Sequence, residues 1–141
     1  MKKRKGQSVV EFALVLPLFL LIMFGVIYTG MLFHDYAAIS SLARMIAREA
    51  AVIQGDDYSE IANYYEPRLD GDLVTGFYKK ADSNPLVIVP FRRNDDPDTE
   101  GVKCTIIMQL QASGFLAEMI LPKTFGVEYF MKKEPHTNSS T

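Results

Sequence analysis

The sequence predicts an α+β architecture: one long N-terminal helix, half transmembrane and half amphipathic, followed by a small antiparallel sheet packed on its outer half. Three observations carry this expectation. Residues 12–33 run for 22 positions without a charge. An apolar 3-4-7 rhythm continues beyond them through Ile39, Leu42, Ile46 and Ile53. The second half of the chain then alternates apolar and polar residues with the two-residue period of half-buried strands.

The charge-free run Phe12–Phe33 corresponds to roughly 33 Å of helix, enough to cross a hydrocarbon core of about 30 Å. A core helix of a soluble protein keeps a polar stripe, and this one has none. Tyr28, Phe33 and Tyr36 supply interfacial aromatics at its far end, and His34 and Asp35 close it. Lys2, Lys3, Arg4 and Lys5 precede the span, and no Lys or Arg follows it until Arg44. The positive-inside rule therefore puts the N-terminus in the cytoplasm and the remainder outside, in a single-pass protein of the cytoplasmic membrane. A removable signal peptide is the lesser alternative, because the run exceeds the usual h-region of about 7–15 residues and no convincing small-x-small site follows closely.

Glu11 sits at the cytoplasmic mouth of the span, where a carboxylate needs a partner or a function. Gly6 lies five residues upstream, directly after the basic cluster. Cleavage after Gly6 would create an α-amine on Gln7, one helical turn from Glu11 and on the same face. Pro17 removes the hydrogen bond to the carbonyl of Ala13 and marks a kink or flexible point in the span, a substitution that membrane helices also tolerate with no function attached.

The string GQSVVEFALVLPLFLLIMFGVIYTG, from Gly6 to Gly30, resembles the processing region of the TadE-like pseudopilins of tight-adherence (Tad/Flp) pili. The resemblance rests on a glycine-to-glutamate spacing followed by Phe12, a Leu-rich stretch with a proline, and later glycines. It implies that a prepilin peptidase cuts after Gly6, that Gln7 becomes the first mature residue and that Glu11, with Phe12 beside it, becomes the fifth. The function it implies is that of a minor pseudopilin, an assembly subunit without catalysis and without cofactor. Its partners would be the peptidase, other pilins and pseudopilins of the system, membrane proteins of the assembly platform, and the bilayer. The alternative is an uncleaved, single-pass anchored binding protein, with Glu11 reaching the interface.

Past the span, Ala43, Ala47, Ala50 and Ala51 fill the rhythm of the larger apolar residues, and Gly55-Asp56-Asp57 stops a helix expected over 7–55. The outer apolar stripe has two candidate partners, the domain that follows and the equivalent helix of a neighbouring subunit; the resemblance favours assembly. Asp57-x-x-Glu60 reads as a capping box for a short helix ended by Pro67, and Asp70-Gly71-Asp72 as a turn. Strands are expected over 102–112, 125–132 and 86–91, with a weaker one over 73–78. Residues 56–133 would form an extracytoplasmic α+β domain that needs the helix to complete its core, with 1–6 a removable leader and 134–141 a disordered tail.

Three outer features bear on chemistry. Asn94, Asp96, Asp98 and Glu100 alternate in an acidic loop; a solvated hairpin is the first reading and a calcium site the second, since Thr99 and Thr105 stand where an EF-hand needs glycine and glutamate. Cys104 falls on the inward set of its strand and reads as a buried thiol rather than a reactive one. The apolar stretch 115–122 either folds onto the helix or meets the membrane or a partner.

His34 and His136 have no nucleophile or acid at a catalytic spacing, and no phosphate loop follows a strand. One cysteine excludes a disulfide framework. The net charge of −2, from 15 basic and 17 acidic residues, offers nucleic acid no basic surface. That near-neutral total is a sum over compartments: without residues 1–6 the count is 11 basic against 17 acidic, or −6.

Overall fold

An apolar segment without a polar stripe and an alternating segment with one buried face cannot share a single core, and the chain divides accordingly. The computed structural model describes residues 4–53, 55–71, 73–92, 100–112, 118–119 and 121–133, with side chains from Ser8 onward. It separates into two compact units, residues 1–34 and 35–141. Helix α1, Arg4–Val52, contributes to both and is slightly earlier at each end than the 7–55 expected.

In the first unit nearly every large apolar side chain from Val9 to Phe33 is exposed; Phe12, for example, is 65% exposed. This is a helix long and apolar enough to cross a membrane, with none of its most apolar window buried by the protein. Thr29 disposes of its hydroxyl by donating to the carbonyl of Gly25, at 2.7 Å, as Ser and Thr do in apolar helices.

The second unit begins with the outer part of α1. The helix ends before Gly55, whose φ of +103° reverses the chain at a position a side chain would strain. Helix α2 follows at Ser59–Tyr65, and a 3-10 turn at Glu66–Arg68 places Pro67 near its start. The expected capping box is corrected: Tyr58 stands at the N-cap with no side-chain cap, and Asp57 instead accepts from the Ser59 amide two residues on, at 3.1 Å. These two hydrogen-bonding groups of Ser59, amide and side chain, hold the Asp57 carboxyl below the usual range.

The sheet is antiparallel and has four strands: β1 (Tyr78–Lys80), β2 (Leu86–Arg92), β3 (Glu100–Leu110) and β4 (Thr124–Lys132). The long β3 is central. β2 pairs with its residues 100–106 and β1 with 108–110, so these two lie end to end along one side, while β4 pairs with 101–109 along the other. Pro90 is tolerated in β2 because that strand is at the edge.

The alternation in β3 decides its buried face. Val102, Cys104, Ile106 and Met108 are fully buried, against Ile39, Leu42, Ala43, Ile46, Ala47, Ala50 and Ala51 of α1 in the same core. Burying a side chain such as Ile106 contributes about 1.5–3 kcal/mol. The apolar stripe of the outer helix is therefore covered by the chain's own sheet.

One expected element is corrected. Residues 73–77 are not a strand; β1 begins only at Tyr78. The amides of Val74 and Thr75, which a strand would have paired in a ladder, donate instead to the carboxylate of Asp35.

Candidate assembly site

Gly6, Gln7, Glu11, Phe12 and Pro17 all lie on α1. Gly6 and Gln7 lie near the start of the described part of α1, and a glycine weakens a helix. Residues 7 and 11 are one turn apart, a rise of about 6 Å along the axis. Both Glu11 and Phe12 are exposed. The helical assignment runs unbroken through Pro17.

In the second unit α1 presents two different faces. Positions 39, 42, 43, 46, 47 and 50 are buried under the sheet, whereas Ala37, Ser41, Met45, Arg48 and Val52 form an exposed stripe of mixed polarity. Strand β4 runs in the same direction as this helix: Tyr36 meets Phe125 (ring centroids 6.3 Å apart), Arg44 lies over the Tyr129 ring at 5.3 Å, and Lys133 donates to the Gly55 carbonyl at 2.9 Å and the Asp56 carboxylate at 3.0 Å. Tyr65 adds a tie from α2 by donating to Glu49 at 2.7 Å, and that hydrogen bond, with desolvation, pushes its phenol up to about 12.

The residue that the sequence reading passed over is Asp35. Its place in the sequence marks it only as the polar stop after the span, yet it is 1% exposed. Its carboxylate accepts from the Val74 amide at 2.7 Å, the Thr75 amide at 3.0 Å and the Thr75 hydroxyl. A signal for this was present: Asp35 stands at the start of the same helical stripe as Ile39, Leu42 and Ile46, so the periodicity alone points it inward. Its partners lie some 40 residues away, and nothing local announces them.

Cys104 is buried, as its place in the alternation implied, and desolvation pushes its thiol up to about 12. The outer face of the sheet carries an exposed aromatic pair, Phe91 and Phe130, packed edge to face at 5.0 Å. The glycine at 101 makes room for it: a Cβ there would come within 2.5 Å of the Phe130 ring and 2.6 Å of the Met131 carbonyl. The acidic loop read as hairpin or calcium site lies, apart from Glu100, outside the described residues; Arg92 and Glu100, which flank it, form an ion pair. Most of the 115–122 stretch and the tail from 134 lie outside them too, along with His136. Among the described residues no cluster of three or more His, Cys, Asp or Glu is arranged to hold a metal ion.

Residues 6–48 match the model of the TadE-like protein family. Over that segment the chain is similar to TadE-like proteins. The match takes in Gly6, Gln7, Glu11, Phe12 and Pro17, the whole apolar run, Asp35 and the first part of the outer helix, and it covers less than a third of the chain. No curated protein and no solved structure matches the sequence.

Proposed function

We propose that this TadE-like chain is a minor pseudopilin: it is inserted in the cytoplasmic membrane with residues 1–6 inside, cut after Gly6 by a prepilin peptidase, and then passed to the assembly platform of a Tad/Flp pilus. The observation that carries the reading is the placement of Gly6, Gln7 and Glu11 between a tetrabasic leader and a full apolar span, within the TadE-like match and on one helix. Cutting there removes four cations that hold this end at the cytoplasmic surface and frees an amine one turn from Glu11. The mature N-terminal amine, from the same or a neighbouring chain, then pairs with Glu11. That pairing offsets the cost of a carboxylate in an apolar setting and fixes the axial register of subunits, with Phe12 packing beside it. Pro17 gives the helix a point of adjustment between bilayer and filament.

The apolar stripe of the outer helix is occupied by its own sheet, so subunit contacts in this reading fall to the exposed apolar segment 12–33 and to the stripe through Ala37, Ser41, Met45, Arg48 and Val52. The test is the N-terminal mass of the chain co-expressed with a prepilin peptidase. Loss of residues 1–6, blocked by Gly6→Leu, is expected. An intact N-terminus beside a co-expressed major pilin that is processed would sink the proposal and leave an uncleaved anchored protein.

A further inference from the structure

The sheet of the second unit ends on two edges, and the parity of the ladder decides what each edge leaves unpaired. In an antiparallel pair, alternate residues turn both N–H and C=O toward the partner strand, and the residues between them turn both away. The Ile107 amide donates to the Pro85 carbonyl at 2.8 Å, so the odd-numbered residues of β2 face β3, while Leu86, Ile88, Pro90 and Arg92 face outward. Pro90 has no N–H to offer there, which blunts that edge. The Leu110 amide donates to the Lys123 carbonyl at 2.8 Å, and the Lys133 amide to the Glu100 carbonyl at 2.9 Å, so the odd-numbered residues of β4 face β3. The backbone groups of Thr124, Gly126, Glu128, Phe130 and Lys132 therefore point away from the sheet, and no proline interrupts them. Among the described residues no further strand pairs with β4.

The side chains of those same residues share the outer face of the sheet, and all are exposed. Glu128, Phe130 and Lys132 stand at alternate positions, a carboxylate and an ammonium on either side of a ring. The ring is held from the sheet side, by Phe91 at 5.0 Å and by its place over Gly101, and it is 47% exposed. Glu128 meets Lys103 at 2.8 Å through one oxygen, and a carboxylate accepts more than one such contact. Opposite charges directly across two strands, and an apolar side chain against an aromatic one, are the pairs that stabilise neighbouring strands.

We propose that β4 is a docking edge for an extended segment of another polypeptide, which adds to it as an antiparallel strand. Backbone hydrogen bonds to the outward-facing residues hold the segment, and side chains select it. Read from its N-terminus, it places an acidic residue opposite Lys132, an apolar residue two positions on against Phe130, and a basic residue two further on opposite Glu128. A second copy of the chain fits less well. Two β4 strands paired antiparallel would oppose the directions of the α1 segments that they follow, which copies inserted by one common anchor do not present to each other. Paired parallel and in register, they would set Glu128 against Glu128 and Lys132 against Lys132. The contact needs neither cleavage after Gly6 nor the pairing of Glu11.

The test titrates the full chain in detergent into a fluorescent peptide, Thr-Glu-Thr-Val-Thr-Lys-Thr-Thr-Thr, and reads anisotropy. Exchanging the glutamate and the lysine of the peptide is expected to weaken binding about 10-fold. N-methylation of the valine, whose N–H faces β4, should abolish binding, whereas N-methylation of the threonine before it, whose N–H faces away, should leave binding intact. Lys132→Glu should lose the original peptide and bind one with lysine at both charged places. No binding of the original peptide at millimolar concentration overturns the proposal, and so do equal affinities for the two charge arrangements. Equal effects of the two N-methylations overturn strand addition in favour of side-chain docking on Phe130. Self-association of the full chain that Lys132→Glu abolishes and Glu128→Lys with Lys132→Glu restores overturns the partner in favour of a second copy.

Discussion

Removing the Asp35 carboxylate is the most informative single change in the outer unit. In Asp35→Ala, two backbone amides and the Thr75 hydroxyl lose a buried, charged acceptor at once. Hydrogen bonds to a charged group are worth about 1.5–3 kcal/mol each, but the bonds share one carboxylate and the loop can move out to water. A donor left buried without its acceptor costs about 1–3 kcal/mol, so a loss of about 2–4 kcal/mol is expected, a large share of a typical domain's about 5–15 kcal/mol. Asp35→Asn keeps one acceptor oxygen and presents its NH2 to a donor, so about half of that loss is expected. Cys104 offers the assay, being the single thiol and buried in the core of this unit. Pulse labelling of the full chain in detergent across a urea series reads the unfolding of the unit around it. A midpoint for Asp35→Ala within about 1 kcal/mol of wild type would refute the assignment of Asp35 as the tie between α1 and residues 74–75.

Three further outcomes follow from the geometry. Gly101→Ala drives a Cβ into the Phe130 ring and the Met131 carbonyl, and because one of these is backbone, a loss of about 1–3 kcal/mol is expected in the same urea assay, whereas Phe130→Ala in addition relieves part of it. Native Cys104 should alkylate at pH 8 about 1000-fold more slowly than after unfolding, since its thiol lies near 12 rather than 9; equal rates would contradict its burial. The folded-state pKa values of Cys104 and Tyr65 are both raised, so their stabilising contribution is complete below about pH 9, and it falls as pH rises through 12; denaturation midpoints that stay flat from pH 8 to 11.5 would contradict this sign.

Much of this architecture is legible in the residues because short-range periods determine it. The charge-free run 12–33 announces the exposed apolar helix, and the alternation Val102, Cys104, Ile106, Met108 against Lys103, Thr105, Ile107, Gln109 announces a central strand with one buried face. Long-range pairings were not legible. Residues 73–77 have strand composition, yet a carboxylate some 40 residues earlier takes the amides of Val74 and Thr75, and no local pattern contains that fact. The same holds for the helix stripe through Ile39 and Ile46: periodicity shows that it must be buried but does not say by what, and its own sheet covers it. Gly6 and Glu11 belong to a different category. Their spacing is readable in the sequence, and the TadE-like match includes them, but their chemistry depends on a peptidase and on neighbouring chains.

The central claim is that a matured N-terminus paired with Glu11 carries this chain into a pilus. The most direct measurement is quantitative mass spectrometry of sheared pili and of membranes from cells carrying wild type or Glu11→Ala. The wild-type chain, lacking residues 1–6, is expected in the sheared fraction, and the Glu11→Ala chain is expected to be cleaved and inserted normally yet confined to the membrane. Equal incorporation of the two would contradict the register role of Glu11, and absence of the processed wild-type chain from pili that form normally would contradict the pseudopilin itself.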